Sequence, residues 1–180
     1  MPIRWDKLTV KAQEAMQRAN DLASEHGNPE LQPVHILTAL LEDHEGIVAP
    51  LLERVGVPVP ALQGEATREI DKLPKVSGSG ATQAHLSDNA SKLLDDAFKQ
   101  ASNFKDEYVS TEHLLLAMSK LKRDPAQEML TRMGATYDNI LRALTAVRGN
   151  QQVTDQNPEA KYQALERYAK IGRASCRERV

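Results

Sequence analysis

Pro33-Val34-His35-Ile36-Leu37-Thr38-Ala39-Leu40-Leu41 and Thr111-Glu112-His113-Leu114-Leu115-Leu116-Ala117-Met118 decide the fold, because they are one pattern written twice, 78 positions apart. Pro33 suits a first helical position, where its missing N–H has no intrahelical partner to lose, and Thr111 is acceptable there too. Moving outward at the same offset, Leu8 meets Leu86, Ala12 meets Ala90, Ala19 meets Ala97, Ala23 meets Ala101 and Ser24 meets Ser102. Past the two histidines, Leu52 meets Leu130, Arg54 meets Arg132 and Gly56 meets Gly134. The matches fall on core, cap and turn positions and hold one register without a gap, which is the mark of an internal repeat.

Each repeat reads as four helices. Leu8, Ala12, Ala15, Met16, Ala19, Leu22 and Ala23 recur at three and four residues, with Thr9 as N-cap and Gly27 just past the end. Further helices are predicted over about Pro33 to Leu41, Ile47 to Val55 stopped by Gly56, and Pro60 to Leu73 stopped by Pro74. The second repeat predicts Asp88 to Phe104, Thr111 to Leu121, Pro125 to Met133 and Tyr137 to Arg148, with Ser110, Asp124 and Thr136 as N-caps. Aromatic residues make up only 4% of the chain, and Ala, Leu, Glu, Gln and Lys are abundant. The expected fold is therefore all-α, two pseudo-symmetric four-helix repeats packed as one domain over 1–148. Repeat one covers about 8–73 and repeat two about 86–148, with an exposed connector at 74–85. Their leftover apolar faces are expected to meet about a pseudo-two-fold axis and leave an apolar groove between repeats.

Beyond Arg148 the polar stretch 149–158 loses its period and reads as a linker. Residues 159–170 read as the start of a helix, with Tyr162, Leu165, Tyr168 and Ala169 forming a stripe.

Composition excludes several classes. The 180 residues carry a formal net charge of −2 and a pI near 6.2, without the clustered Lys and Arg that nucleic acid requires. Apolar runs are too short to cross a membrane, and Cys176 alone can build neither a disulfide nor a four-cysteine metal site. The expected setting is the cytoplasm. No G-x-x-x-x-G-K-[ST] loop occurs, because Ser77-Gly78-Ser79-Gly80 lacks the lysine and the following helix. No G-x-S-x-G elbow or H-E-x-x-H frame occurs either, so this chain is not expected to be an enzyme. His35 and His113 read as capping or core-edge residues repeated with the fold, ahead of a metal-dependent hydrolase built on them. Asp106, Glu107 and Glu112 place negative charge before and within the sixth helix, next to Ser110 and Thr111. Their counterparts in repeat one are Asn28, Pro29 and Val34, so the repeated fold does not require that acidity, and a surface role stands beside local capping.

The two histidine-bearing helices resemble the paired repeats of the N-terminal domain of Clp-type ATPases. Leu73-Pro74-Lys75-Val76-Ser77-Gly78 and Val147 to Glu159 resemble the connector and domain linker of the ClpB-type disaggregase branch, over about Leu8 to Lys170. The resemblance implies a non-catalytic module that engages unfolded or aggregated polypeptides for an ATP-driven homohexameric ring working with a DnaK-type chaperone system. ATP and Mg²⁺ would belong to the full-length ring, and this chain, expected to be a monomer, would hold no cofactor or metal. By motif position the resemblance carries substrate handling onto Thr9, Asp106 and Glu112, the two acids being pictured as a rim that favours basic clients. On that picture Glu112→Ala leaves the melting temperature nearly unchanged and weakens binding of basic chains. An adaptor-docking domain of a protease-linked Clp unfoldase is the alternative function. After Lys170, where the family continues toward an ATPase domain, Ile171 to Val180 departs from its pattern and reads as a non-native tail.

Overall fold

The computed structural model describes residues 3–77, 83–149 and 151–158. Part of the connector, the helix expected at 159–170, and the tail with Cys176 lie outside the described residues. A single 3-10 turn, Trp5–Lys7, leads into α1 (Val10–Glu25), then α2 (Pro33–Glu42), α3 (Val48–Val55) and α4 (Val59–Lys72). Repeat two supplies α5 (Asp88–Asn103), α6 (Thr111–Ser119), α7 (Pro125–Arg132) and α8 (Tyr137–Arg148). The all-α architecture and its helix order match the periodic reading. Helix α6 closes two residues early, because the N–H groups of Lys120 and Leu121 reach back three residues to the Ala117 and Met118 carbonyls in a tightened last turn.

The caps act as their chemistry requires. Thr9 Oγ1 accepts the Ala12 N–H at 3.2 Å, its counterpart Ser87 accepts the Ala90 N–H at 3.1 Å, and Thr136 accepts the Asn139 N–H at 3.3 Å. Asp124 accepts from Ala126 and Gln127. Helices α3 and α7 both end on a left-handed glycine, Gly56 at φ 100° and Gly134 at φ 88°, a conformation that a Cβ penalises. We expect Thr9→Ala to cost about 1 kcal/mol through the orphaned Ala12 N–H, measurable by urea denaturation.

Two short strands were not foreseen, and they display the pseudo-symmetry directly. β1 (Glu30–Leu31) pairs in parallel with β2 (His85–Leu86), with Leu31 opposite Leu86. Leu8 bridges Val109, also in parallel, and adding 78 to Leu8 gives Leu86 while subtracting 78 from Val109 gives Leu31. Thr9 N–H donates to the Val109 carbonyl at 2.9 Å, and Ser87 N–H to the Leu31 carbonyl at 3.1 Å. Each repeat therefore threads the lead-in to its first helix beside the loop that opens the other's second helix. Pairings of this length lack an alternating run long enough to be read from sequence.

Helices α2 and α6 are the axis of the body. Pro33 to Leu41 of α2 and all of α6 are buried, so their nearly continuous apolar runs belong to helices covered on every side. Helix α1 packs on α2 and α5 on α6, while α3 meets α8 and α4 meets α7 across the repeats. One apolar cluster draws on both repeats, from Leu8 and Met16 through Ile36 and Leu40 to Leu93, Leu115 and Ile140.

Candidate functional site

The candidate residues converge where the end of α5, the start of α6 and the end of α8 meet. His113 occupies the third position of α6, and its Nδ1 accepts the backbone N–H of Ser110 at 2.9 Å. That donor fixes the ring proton on Nε2, which faces Asp106 Oδ2 at 2.7 Å. The same carboxylate receives both Nη atoms of Arg148, at 2.9 and 2.6 Å, and the Val153 N–H at 2.8 Å. Its side chain is fully buried. Burial alone works to raise the Asp106 pKa, but hydrogen bonds from His113, Arg148 and Val153 outweigh it and hold the carboxyl below its usual range.

Glu112 approaches the guanidinium from α6, with Oε1 3.8 Å from Arg148 Nη1. Its side chain has no solvent exposure, and neither oxygen has a hydrogen-bond partner. Arg148 also donates to the Gln151 carbonyl from Nε and Nη2, at 3.2 and 2.8 Å, and lies 5.2 Å from the Phe104 ring centre. Two carboxylates thus share one guanidinium out of water. The acidic rim read from the sequence is not present: the charges of Asp106 and Glu112 point inward, and Glu112→Ala would disturb a buried ion cluster rather than a solvated face.

Repeat one shows what the cluster replaces. The positions equivalent to Asp106, Glu112 and Arg148 are Asn28, Val34 and Ile70, all buried and none charged. Asn28 Oδ1 faces His35 Nε2 at 2.9 Å and Asn28 Nδ2 donates to the Pro74 carbonyl, so the amide staples the chain leaving α4 as Asp106 staples the chain leaving α8. Both histidines have the capping role that their repetition suggested: the Gln32 N–H donates to His35 Nδ1 at 2.9 Å. Burial, and to a smaller degree the nearby His26, pushes the His35 pKa down to about 4. Among the described residues, no group of three or more His, Cys, Asp or Glu is placed to hold a metal ion.

Thr9 lies apart from this cluster but on the same seam, where its N–H meets Val109. Trp5 and Val10 on either side are 44% and 42% exposed, unusual for large apolar side chains here. The polar segment after α8 is docked. Val153 is fully buried, its carbonyl accepts the Glu107 N–H at 2.8 Å, and the Gln156 carbonyl accepts the Val10 N–H at 2.8 Å. Sequence reasoning missed Arg148, Val153 and this docking.

An apolar groove is expected between the repeats, and one opening there has a mixed lining. A pocket of about 380 Å³ does span them between α3 and α8, but Arg54, Arg142 and Asn139 line it together with Val55 and Ala143. The mixture is mainly polar. A second pocket, about 330 Å³, opens beside Arg148 and Phe104 within repeat two.

Comparison with known proteins decides the family. The model for the Clp repeat (R) N-terminal domain matches residues 7–133. The chain belongs to this family. The chaperone protein ClpB of Bacillus cereus is 42% identical to it over 167 residues, which cover 92% of this chain and 19% of that relative. The Clp N-domain described here thus spans about a fifth of the length of the curated relatives it matches. Among solved structures, the Hsp104 N-terminal domain from Candida albicans superposes with a TM-score of 0.74 at 23% identity, covering 85% of this chain and 99% of that one. A ClpV N-domain in complex with a VipB peptide gives 0.64 at 19% identity, covering 86% and 98%. At those identities the superpositions establish the shared Clp N-domain fold. Among the described residues, no helix is long and apolar enough to cross a membrane.

Proposed function

We propose that this Clp N-domain captures exposed apolar segments of unfolded or aggregated polypeptides for a larger ATP-driven disaggregase. The observation that carries the reading is the seam at the start of α1. Trp5 and Val10 stay exposed there beside Thr9, at the line where the two repeats pair. Apolar side chains left in water on a rigid edge favour apolar partners. The ClpB names of the relatives support a chaperone setting, and the ClpV N-domain solved with a peptide supports peptide capture by this fold.

Under this reading the ring, its ATP and Mg²⁺, a homohexameric state, a DnaK-type partner and a cytoplasmic setting belong to the longer protein. The N-domain supplies weak client contacts, because a disordered client loses chain entropy on docking. Several copies in a ring raise the avidity. Trp5 and Val10 are the candidate client contacts; Thr9, Asp106 and Glu112 all have buried side chains and would act on clients through other groups, Thr9 by capping the helix that carries Val10.

An NMR titration with a permanently unfolded protein tests the proposal. We expect backbone amide shifts at Trp5, Val10 and Thr9. Shifts confined to the α3–α8 pocket, or none at millimolar client together with saturable binding of a Clp adaptor, would overturn it in favour of an adaptor dock.

A further inference from the structure

The buried ion cluster grips the segment leaving α8 with charged groups, where repeat one holds the segment leaving α4 with the neutral Asn28 amide. Arg148 ends α8, and its guanidinium grips both Asp106 and the Gln151 carbonyl, so it bends the departing chain back onto the domain. Asp106 then takes the Val153 N–H, five residues beyond Arg148, and Val153 is buried against repeat two. From there the segment crosses the start of α1, where the Gln156 carbonyl meets the Val10 N–H and the Gln156 amide lies 3.4 Å from the Asp6 carbonyl. A charge-assisted grip at one end thus lays polar chain across the edge that carries Trp5, Thr9 and Val10.

Burying two carboxylates and a guanidinium is costly. The same backbone positions are filled in repeat one by Asn28, Val34 and Ile70, so the fold itself has an uncharged solution. The charges are therefore not needed for packing. Beyond the Asn28 staple, whose neutral amide takes the Pro74 carbonyl, they add a bidentate anchor on the last helical residue and two charged donors on the Gln151 carbonyl.

We infer that Asp106, Arg148 and Glu112 form a latch that holds residues 151–156 across the start of α1, where the segment occupies the Val10 N–H and the Asp6 carbonyl and so denies clients that backbone edge while the Trp5 and Val10 side chains stay open. Asp106 and Arg148 are positioning residues. They touch the exit segment, and Glu112 adds a second carboxylate to the guanidinium, 3.8 Å from Nη1. The latch rests on the client reading above for its purpose, but not for its existence.

Repeat one supplies the test variant: Asp106→Asn, Glu112→Val and Arg148→Ile together give repeat two the chemistry of its counterpart. An amide has one oxygen, so His113 and Val153 then compete for a single acceptor, and Gln151 loses both guanidinium donors. We expect a cooperatively folded protein whose melting temperature is not lowered, with the Val153 amide exchanging its hydrogen roughly ten to a hundred times faster. Thermolysin should cut before Val153 in the variant and spare the wild type. A folded variant with unchanged exchange and cleavage overturns the latch. Should the triple variant fail to fold, Arg148→Lys keeps the charge but loses the bidentate grip, and slow exchange there overturns it equally.

Access is read separately. The latched population lowers apparent affinity, so the triple variant should bind an unfolded protein roughly tenfold more tightly. Faster exchange with unchanged affinity removes the gating role. If wild type and variant both ignore clients, the proposed function falls while the exchange experiment still decides whether the latch exists.

Discussion

Arg148→Ala is expected to cost about 3–5 kcal/mol, because it removes the one cation from a buried site holding two carboxylates. Asp106 would keep His113 and the Val153 N–H, but Glu112, which has no hydrogen bond in the native protein, would face no positive charge from this cluster. At the size of this domain such a loss lowers the melting temperature by roughly 10 °C. Calorimetry of the single variant beside the triple exchange separates two causes. If volume alone matters, Arg148→Ala and the triple exchange both lose stability, in proportion to the packing removed. If the uncompensated charge matters, the single variant is far worse than the triple, in which all the ions leave together. A loss below about 1 kcal/mol for Arg148→Ala would mean that water entering through the pocket beside Phe104 solvates both carboxylates, and the cluster would then carry little energy.

The contrast between the repeats also explains what the sequence did and did not reveal. Helices, caps and the internal repeat were legible because they rest on local rules: a 3.6-residue apolar period, a side-chain oxygen at the N-caps of α1, α5, α7 and α8, and a positive-φ glycine after α3 and α7. Helix α8 matched its predicted ends, and the buried α2 and α6 were anchored by Pro33, Thr111 and the flanking caps. Long-range pairing was not legible. β1 and β2 are two residues each, and Leu8 meets Val109 across a distance that no local pattern encodes.

The acidic residues were misread for a related reason. A carboxylate at the start of a helix is well placed in water, so Asp106 and Glu112 looked like solvated charges. The signal that could have corrected this lay in the repeat alignment: Asn28, Val34 and Ile70 are replaced together by Asp106, Glu112 and Arg148. Two acids gained at positions matched to core residues, with an arginine replacing a core isoleucine, point to an internal ion cluster. Taken one residue at a time, each change looks like surface drift. The docking of 151–156 depended on that cluster and was missed with it, since a polar stretch without apolar period has no other local reason to lie down.

His35 gives the second large effect, and its sign follows from its burial. Its ring accepts the Gln32 N–H and faces Asn28 Oδ1 but is fully buried, and burial, with a smaller push from His26, lowers its pKa to about 4 from 6.5. Above pH 6.5 the ring is neutral folded or unfolded, and its contribution is fully present. Between 6.5 and 4 the unfolded chain takes up a proton that the folded protein refuses, so stability falls by about 3 kcal/mol over that window. Below 4 both states are protonated and this loss stops. Asp106 acts in a lower window, because its depressed pKa preserves stability until the pH falls through its folded value. Urea denaturation of wild type and His35→Gln at about pH 7 and about pH 4.5 isolates the histidine: the wild type should lose clearly more stability between them. Equal losses would show that His35 takes up its proton inside the folded protein, which would require Asn28 and the His35 ring to separate and water to reach a side chain that is fully buried at neutral pH.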